Sequence, residues 1–411
     1  MSHGNRLRQK LQQAVFPTRL SRFIPGNQVT LLQNGEDYFP AIEAAFDRAR
    51  HEIYLETYIY ENDATGMQIA DALKRAALRG VNVYMLIDGY GSKDLPQSVL
   101  DQLRAVGVKA LVFRPKISPW TFRRKRLRRL HRKIVVVDRE IAFVGGLNII
   151  DDSAATGDMP PRYDYAVAVE GPLVDEIRIS AKRLWTMVAW SRFRKGTVRG
   201  GALPVSTFVN GHMNAAFLVR DNFRHRREIE TAYLNAIDQA KSEIYFAHAY
   251  FLPGLDFRHA LISAAKRGVR VVLLLQGKVE YFLQHYATRA LYGTLLDAGI
   301  EIHEYRTSFL HAKVAVIDRH WATVGSSNID PFSLLLSREA NIVVDDEEFA
   351  LILATSLEKT VANDGQRILT DNWKQQPVFF RFMSWVSYGL LRLMMMISGY
   401  VPGTAGPGSS R

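Results

Sequence analysis

The 411-residue chain has no cysteine. That absence excludes a disulfide framework and a thiol nucleophile, and it is compatible with the cytoplasm. Acidic residues are in deficit, 41 against 53 Lys and Arg, giving a formal charge of +12 and a pI near 9.7. Such an excess favours an anionic partner: nucleic acid, an anionic membrane or an acidic substrate. The first residues, MSHGNRLRQKLQQAVFPTRL, lack the continuous apolar core of an export signal, and no export is expected. Leu7, Leu11, Val15 and Phe16 among Arg6, Arg8 and Lys10 fit either a short basic amphipathic helix at a membrane surface or a solvated terminus. The length suffices for two ordinary domains.

What is present is one formula written twice. His131, Lys133 and Asp138 with Asn148 spell HxKxxxxD followed by Asn, and His311, Lys313, Asp318 and Asn328 repeat it. With the shared Gly145 and Gly325, five specified residues at fixed spacing arise by chance at roughly one start position in a few million. Both copies, HRKIVVVDREIAFVGGLN and HAKVAVIDRHWATVGSSN, read as two short strands joined at Asp-Arg. Residues two apart on a strand share a face, so the His and Lys of each copy reach one pocket.

Protonated lysine is a poor metal ligand, and neither copy has the clustered Cys, Glu or His of a zinc or magnesium site. A metal-free anion site is expected, with no cofactor. Lys133, Lys313, Asn148, Asn328 and donors around Ser326 and Ser327 would hold a tetrahedral phosphate and stabilise its transition state. One His can attack phosphorus, while the other donates a proton to the leaving oxygen and later accepts one from an alcohol or water. Asp138 and Asp318 fit either catalysis or turn chemistry.

The twin motif resembles the signature of the phospholipase D superfamily, HxKxxxxDxxxxxxGSxxN. The second copy fits through Gly325, Ser326, Ser327 and Asn328, and the first departs by placing Gly146 where Ser is usual. The duplication extends beyond the motifs. RARHEIYLETYIY at 48–60 is similar to QAKSEIYFAHAYF at 239–251, offset by 191, and Gly80 matches Gly268 at 188; the motifs themselves lie 180 apart. Each half reads as helix, strand, helix, strand, helix, then the motif hairpin, with helices at 38–50 and 67–79 and strands at 53–60 and 82–88. The Arg-Gly-Val steps at 79–81 and 267–269 read as helix stops with Gly at positive φ. The expected fold is α/β: two tandem phospholipase D-like α/β sandwich halves about a pseudo-twofold axis, with the active site at their interface. The segments are 1–27, basic; 28–205, the first half; 206–370, the second half; and 371–411, an apolar membrane-associating segment with a flexible tail. The resemblance implies that Asp164 (in RYDYAVAVEGP) and Glu339 (in REANIVV) orient the opposing His; the alternative pairs them with Arg162 or Arg338.

Two features address the substrate. The run from Trp120 through Arg129 precedes the first motif and fits a nucleic-acid backbone or anionic headgroups. Residues 378–400, VFFRFMSWVSYGLLRLMMMISGY, are apolar except for Arg381 and Arg392, which share a stripe with Ser384 and Tyr388. A spanning helix would put two Arg near hydrocarbon at about 2.5 to 3.5 kcal/mol each if central. An in-plane helix, with Phe379, Phe382, Trp385 and Leu390 in acyl chain, is favoured over spanning, and docking on the catalytic halves is a third option. Over roughly 28–370 the chain resembles bacterial cardiolipin synthases of the short type, through LLQNGEDYFPAI, LIDGYGS, HRKIVVVD with GGLN, YDYAV, HAYFLPG and HWATVGSSNIDPFS. That resemblance implies phosphatidyl transfer between two phosphatidylglycerol molecules, giving cardiolipin and glycerol, with His131 attacking and His311 as acid and base. The residues alone leave open which His attacks and whether phosphatidylethanolamine serves as donor. A peripheral place on the cytoplasmic side of the bacterial inner membrane is expected. Rival readings are a hydrolytic phospholipase D, a nucleic-acid phosphodiesterase, which leaves the apolar tail unexplained, and a non-catalytic binding module.

Overall fold

The Arg-Gly-Val steps end two helices as their sequence predicts. Helix α2 (Ala64–Leu78) stops before Gly80 at φ +92°, and α6 (Leu255–Lys266) before Gly268 at φ +91°. The next amides turn back into the helices, Val81 N–H to Ala76 O and Val269 N–H to Ala264 O, both at 3.1 Å. At its other end α2 begins on Asp63, whose carboxylate accepts the Gly66 N–H at 2.8 Å.

The computed structural model describes residues 23–115, 128–152, 159–191, 210–221, 225–330 and 337–397. Most of the basic segment 1–27, the run from Trp120 to Leu127 and the tail after Gly399 lie outside the described residues. The first half runs β1 (Ile24–Gln33), α1 (Asn34–Arg48), β2 (Glu52–Thr57), α2, β3 (Asn82–Asp88), α3 (Gln97–Ala105), β4 (Lys109–Phe113), β5 (Lys133–Val137), β6 (Ile141–Gly145), β7 (Tyr165–Glu170) and α4 (Leu173–Ser191). The second runs β8 (Met213–Arg220), α5 (Glu228–Gln239), β9 (Glu243–His248), α6, β10 (Arg270–Gln276), α7 (Phe282–Arg289), α8 (Tyr292–Asp297), β11 (Glu301–Tyr305), β12 (Lys313–Ile317), β13 (Trp321–Gly325), β14 (Glu339–Asp345) and α9 (Glu347–Asp364). Short β15 (Gly365–Arg367) and α10 (Thr370–Lys374) lead to α11 (Val378–Ile397).

The expected order holds, with additions. Strand β4 lies between the third helix and the first hairpin, β11 holds the same place in the second half, and β1 and β8 open the halves. The turn-like IPGN start masks β1, and KALVF is too short to show a period. The strands form one fifteen-stranded sheet, β15-β11-β10-β9-β12-β13-β14-β8-β1-β7-β6-β5-β2-β3-β4, in which the halves mirror each other about the β1–β8 pair. Helices α1, α2 and α3 and helices α5 to α8 cover the outer faces, each over its own buried cluster. A third cluster is shared: Val136, Val144 and Val167 pack with Val314, Val324 and Ile342, between α4 and α9. This common core fixes the ends of the motif strands against one another.

The motif aspartates stand at the far end of these strands. Asp138 lies five residues beyond Lys133, roughly 16 Å along the strand, at φ +52° in the hairpin turn. Its carboxylate accepts the Arg50, His51 and Glu52 N–H groups at 2.9, 2.8 and 2.8 Å. Asp318, at φ +53°, accepts the Lys241, Ser242 and Glu243 N–H groups and the Ser242 hydroxyl at 2.7–3.0 Å. Burial pushes Asp318 up, but these donors outweigh it and hold the carboxyl below its usual range. Of the two roles open to Asp138 and Asp318, the hydrogen bonds fit turn chemistry and not the catalytic one: both tie the hairpin turn to the loop between the first helix and strand of their half. Asp138→Ala is expected to lower unfolding stability by about 2 to 4 kcal/mol, seen as a shifted urea midpoint. Turnover per folded molecule should change far less than in either His→Ala variant.

Candidate active site

Both motif histidines are gripped by the opposite half. Lys133 and Lys313 open β5 and β12, and each His lies two residues ahead. The chain there crosses over: His131 N–H donates to Arg338 O at 3.0 Å and Arg338 N–H to Arg129 O at 2.8 Å. Reciprocally, His311 N–H donates to Tyr163 O at 2.8 Å and Tyr163 N–H to Phe309 O at 2.9 Å. Arg338 and Tyr163 immediately precede Glu339 and Asp164, so these bridges deliver each carboxylate to the other half's imidazole. His131 Nδ1 lies 3.0 Å from Glu339 Oε2, and His311 Nδ1 2.5 Å from Asp164 Oδ2. With Nδ1 engaged, Nε2 is the nitrogen each ring has for chemistry. Arg162 turns instead to Asp152 and Glu280, at 3.8 and 3.4 Å.

The lysines are buried beside the rings. Lys133 Nζ donates to His131 O at 2.7 Å, and Lys313 Nζ lies 2.8 Å from His311 Nδ1 and 3.6 Å from Asp164. Asn148 is buried and its carbonyl accepts the Ile59 N–H at 3.1 Å; Asn328 is also buried. Ser326 was expected to bind phosphate, but its hydroxyl donates to Glu339 Oε2 at 2.6 Å. It supports the carboxylate that holds His131. The glycine in the first motif has the complementary cause: a Cβ at Gly146 would lie 2.3 Å from Asp164 Oδ1. The shorter Asp164 sits against the backbone where a serine side chain would be.

Burial dominates the titration of the site. It lowers His131, aided by Lys133 and Lys313 and opposed by Glu339, and it lowers His311 to about 3, with Lys313 contributing. Both rings are thereby neutral, as a nucleophile or base requires. Burial also brings Lys133 down to about 7 and lowers Lys313. Asp164 is pushed up by burial, but the charges of Lys313 and His311 outweigh that and lower it. An arriving phosphodiester adds a negative charge to this desolvated site. That charge draws protons back onto nitrogen.

Three positioning groups escaped the sequence reading. Asp88, fully buried, accepts the Leu130 N–H at 2.9 Å, and Gln276 accepts the Leu310 N–H at 3.2 Å, each holding the residue before a reactive His. Their signal was the shared end of the repeated strands, LID and LLQ. Tyr58 lays its ring 4.9 Å from the His131 ring and 5.4 Å from Lys133 Nζ.

The chain is similar to known proteins over most of its length. The family model described as cardiolipin synthase, PLD-like domain, matches residues 42–185 and 233–361. Cardiolipin synthase B of Escherichia coli (strain K12) is 38% identical over 386 residues, covering 92% of this chain and 91% of the relative. Cardiolipin synthase A of Proteus mirabilis is 29% identical, covering 89% of this chain and 75% of the relative. Among solved structures, phosphatidylserine synthase of Haemophilus influenzae Rd KW20 superposes with a TM-score of 0.71 over 95% of this chain and 99% of that one, at 14% identity, a likeness of fold.

Anion binding should be coupled to proton uptake. Titration calorimetry with dimethyl phosphate, a monoanion throughout this range, in buffers of differing ionisation enthalpy, is expected to show net proton uptake near pH 8 that falls in Lys133→Met. Uptake at pH 8 that is unchanged in Lys133→Met would refute this account of the lysine.

Proposed function

The chain belongs to the cardiolipin synthase family with its phospholipase D-like domain, and we propose that it joins two phosphatidylglycerol molecules into cardiolipin and glycerol through a phosphatidyl-histidine. It is a phosphatidyltransferase of that family. The observation that carries this reading is the crossed pairing of His131 with Glu339 and of His311 with Asp164. Two neutral imidazoles, each held by a carboxylate through Nδ1, supply a nucleophile and a separate proton carrier.

In the first step one imidazole attacks phosphorus and the bond to the glycerol headgroup breaks. The second imidazole, protonated as the phosphodiester binds, gives its proton to the departing oxygen. In the second step it takes the proton of an incoming hydroxyl, whose oxygen displaces the imidazole from phosphorus. Family resemblance gives the attack to His131 and the proton transfers to His311. One phosphodiester is exchanged for another, so the step needs no external energy source. Lys133 and Lys313, drawn up in pKa by the anion, stabilise the charge spread over the phosphoryl oxygens. Phosphatidylethanolamine offers the same phosphodiester and is the alternative donor.

Helix α11 supports a membrane surface as the working place. Its inward face is small and polar: Ser384 and Ser387 are buried with Leu391, and α11 packs along α7. Its outward face carries Phe379, Phe382, Trp385, Leu390, Leu393 and Met396, all between 48% and 66% exposed. An outer face this apolar suits a helix that meets acyl chains. Among the described residues no helix is long and apolar enough to cross a membrane. Peripheral attachment to the cytoplasmic face of a bacterial inner membrane is the corresponding location.

With phosphatidylglycerol vesicles, lipid mass analysis is expected to show cardiolipin from the wild type and at least a 10³-fold loss in both His131→Ala and His311→Ala. Free phosphatidate as sole product would make the protein a hydrolase. In flotation with anionic vesicles, the double substitution Phe382→Glu and Trp385→Glu should cut membrane binding by about tenfold or more without lowering the melting temperature. Unchanged flotation would remove α11 from the membrane contact.

A further inference from the structure

The two halves differ where each motif histidine meets the loop after the strand paired with its hairpin. Following β2, Tyr58 covers the flank of His131. At the same step after β9 the residue is Ala249, whose N–H donates to Ala312 O, next to His311. A methyl group therefore replaces a phenol, and a cleft opens on this side. It is an open cleft, and its walls include Tyr250, Gln276, Lys278, Glu280, Tyr281 and His285. Gln276 fixes the cleft beside the catalytic ring, because the same side chain holds the Leu310 N–H.

The cleft's polar groups suit a neutral polyol. Glu280 accepts the Tyr250 hydroxyl at 2.6 Å and meets Arg162, shared with Asp152, at 3.4 Å, so its charge is partly offset, while Lys278 Nζ in the same wall donates to Thr307 O at 3.1 Å. A partly compensated carboxylate beside phenol and amide groups accepts and donates hydrogen bonds without demanding a cation. The first half lacks this set: by the repeat, Glu280 stands where that half has Ser92, whose hydroxyl donates to Tyr58 O and accepts the Tyr60 N–H.

We infer that the cleft beside His311 binds the headgroup alcohol, a small neutral polyol, as it leaves in the first step and attacks in the second. The inference rests on the phosphatidyl-transfer reading and deepens it. In-line displacement puts the nucleophile opposite the leaving oxygen. An alcohol in this cleft therefore exchanges its proton with His311, and the phosphorus–nitrogen bond forms at His131. Nothing else is consumed: the phosphorus–oxygen bond to the departing alcohol breaks as phosphorus–nitrogen forms, and the second step reverses both with a new hydroxyl.

The test uses the full chain in detergent micelles with phosphatidylmethanol as donor and added glycerol as acceptor. Phosphatidylglycerol formation is followed against glycerol concentration for wild type, Ala249→Tyr and Glu280→Gln. Ala249→Tyr fills the cleft with the side chain the first half carries, and Glu280→Gln keeps its shape. Both are expected to raise the KM for glycerol by about tenfold or more, and Glu280→Gln to leave kcat within about threefold. In Ala249→Tyr, water should capture a larger share of the phosphatidyl-enzyme, measured as phosphatidate. An unchanged glycerol KM in both variants overturns the subsite while leaving phosphatidyl transfer standing. So does a wild type that uses ethanolamine at lower KM than glycerol, the mark of an ammonium site. A wild type that moves phosphatidyl to no acceptor overturns the transfer reading and the subsite with it.

Discussion

Everything in this molecule depends on a reciprocal exchange at the interface between its halves. Each motif strand, before it enters its own hairpin, is bridged to the strand that opens the other half's last pair: Leu130 to Arg338 and Leu310 to Tyr163. One residue further on, each bridge delivers a carboxylate to an imidazole. Neither half can present a working histidine alone, because the group that fixes its tautomer lies 147 to 208 residues away in sequence. Fold and chemistry are thereby one constraint. Separating the halves would expose the shared valine-rich core and leave two carboxylates and two lysines without partners, and such groups are costly to leave unpaired in low dielectric.

Duplication supplied the symmetry, and divergence within it supplied direction. A phosphoryl transfer needs two unlike partners, one ring that attacks and one that carries a proton. The carboxylates differ accordingly. Glu339 is longer and takes a hydroxyl from Ser326, whereas Asp164 is shorter, sits against Gly146 and accepts the Tyr165 N–H at 2.8 Å. The Gly146 departure from the usual motif is thus matched by a compensating change in its partner. Lys313 reaches both Asp164 and His311, while Lys133 faces the Tyr58 ring. Similar sequences have been tuned to unlike electrostatic settings.

Much of this was legible before any coordinates. Period-two spacing placed His and Lys on one face, and the Arg-Gly-Val steps located two helix ends at which Gly does take positive φ. The crossed carboxylates followed from family resemblance, since no local pattern links Asp164 to His311. The failures share a cause. Ser326 was read by residue type as a phosphate donor, and the choice between catalysis and turn chemistry stayed open for Asp138; each spends its hydrogen bonds on structure, and sequence does not show where a polar group's partners lie. Asp88 and Gln276 were missed because a carboxylate and an amide perform the same task, accepting one N–H, so their equivalence is geometric rather than chemical. The β1–β8 joint was hidden for a related reason: edge pairing between halves is set by tertiary packing, not by the alternation within either strand.

The joint between α7 and α11 connects the chemistry to its surroundings. Helix α7 carries His285 on the wall of the cleft beside His311 and packs its other side along α11. The outer face of α11 is apolar, and at the near end of α7 Val279, Tyr281 and Phe282 are exposed as well. On the proposed membrane-surface reading, an apolar surface this close to the cleft mouth would set the depth at which the protein meets a bilayer. A lipid phosphodiester lies at the headgroup level, a few ångströms above the acyl chains that would receive Phe382 and Trp385. On that reading a lipid substrate would reach the two imidazoles with its chains still in the membrane, which spares the large cost of drawing them into water, about 0.8 kcal/mol for each methylene exposed.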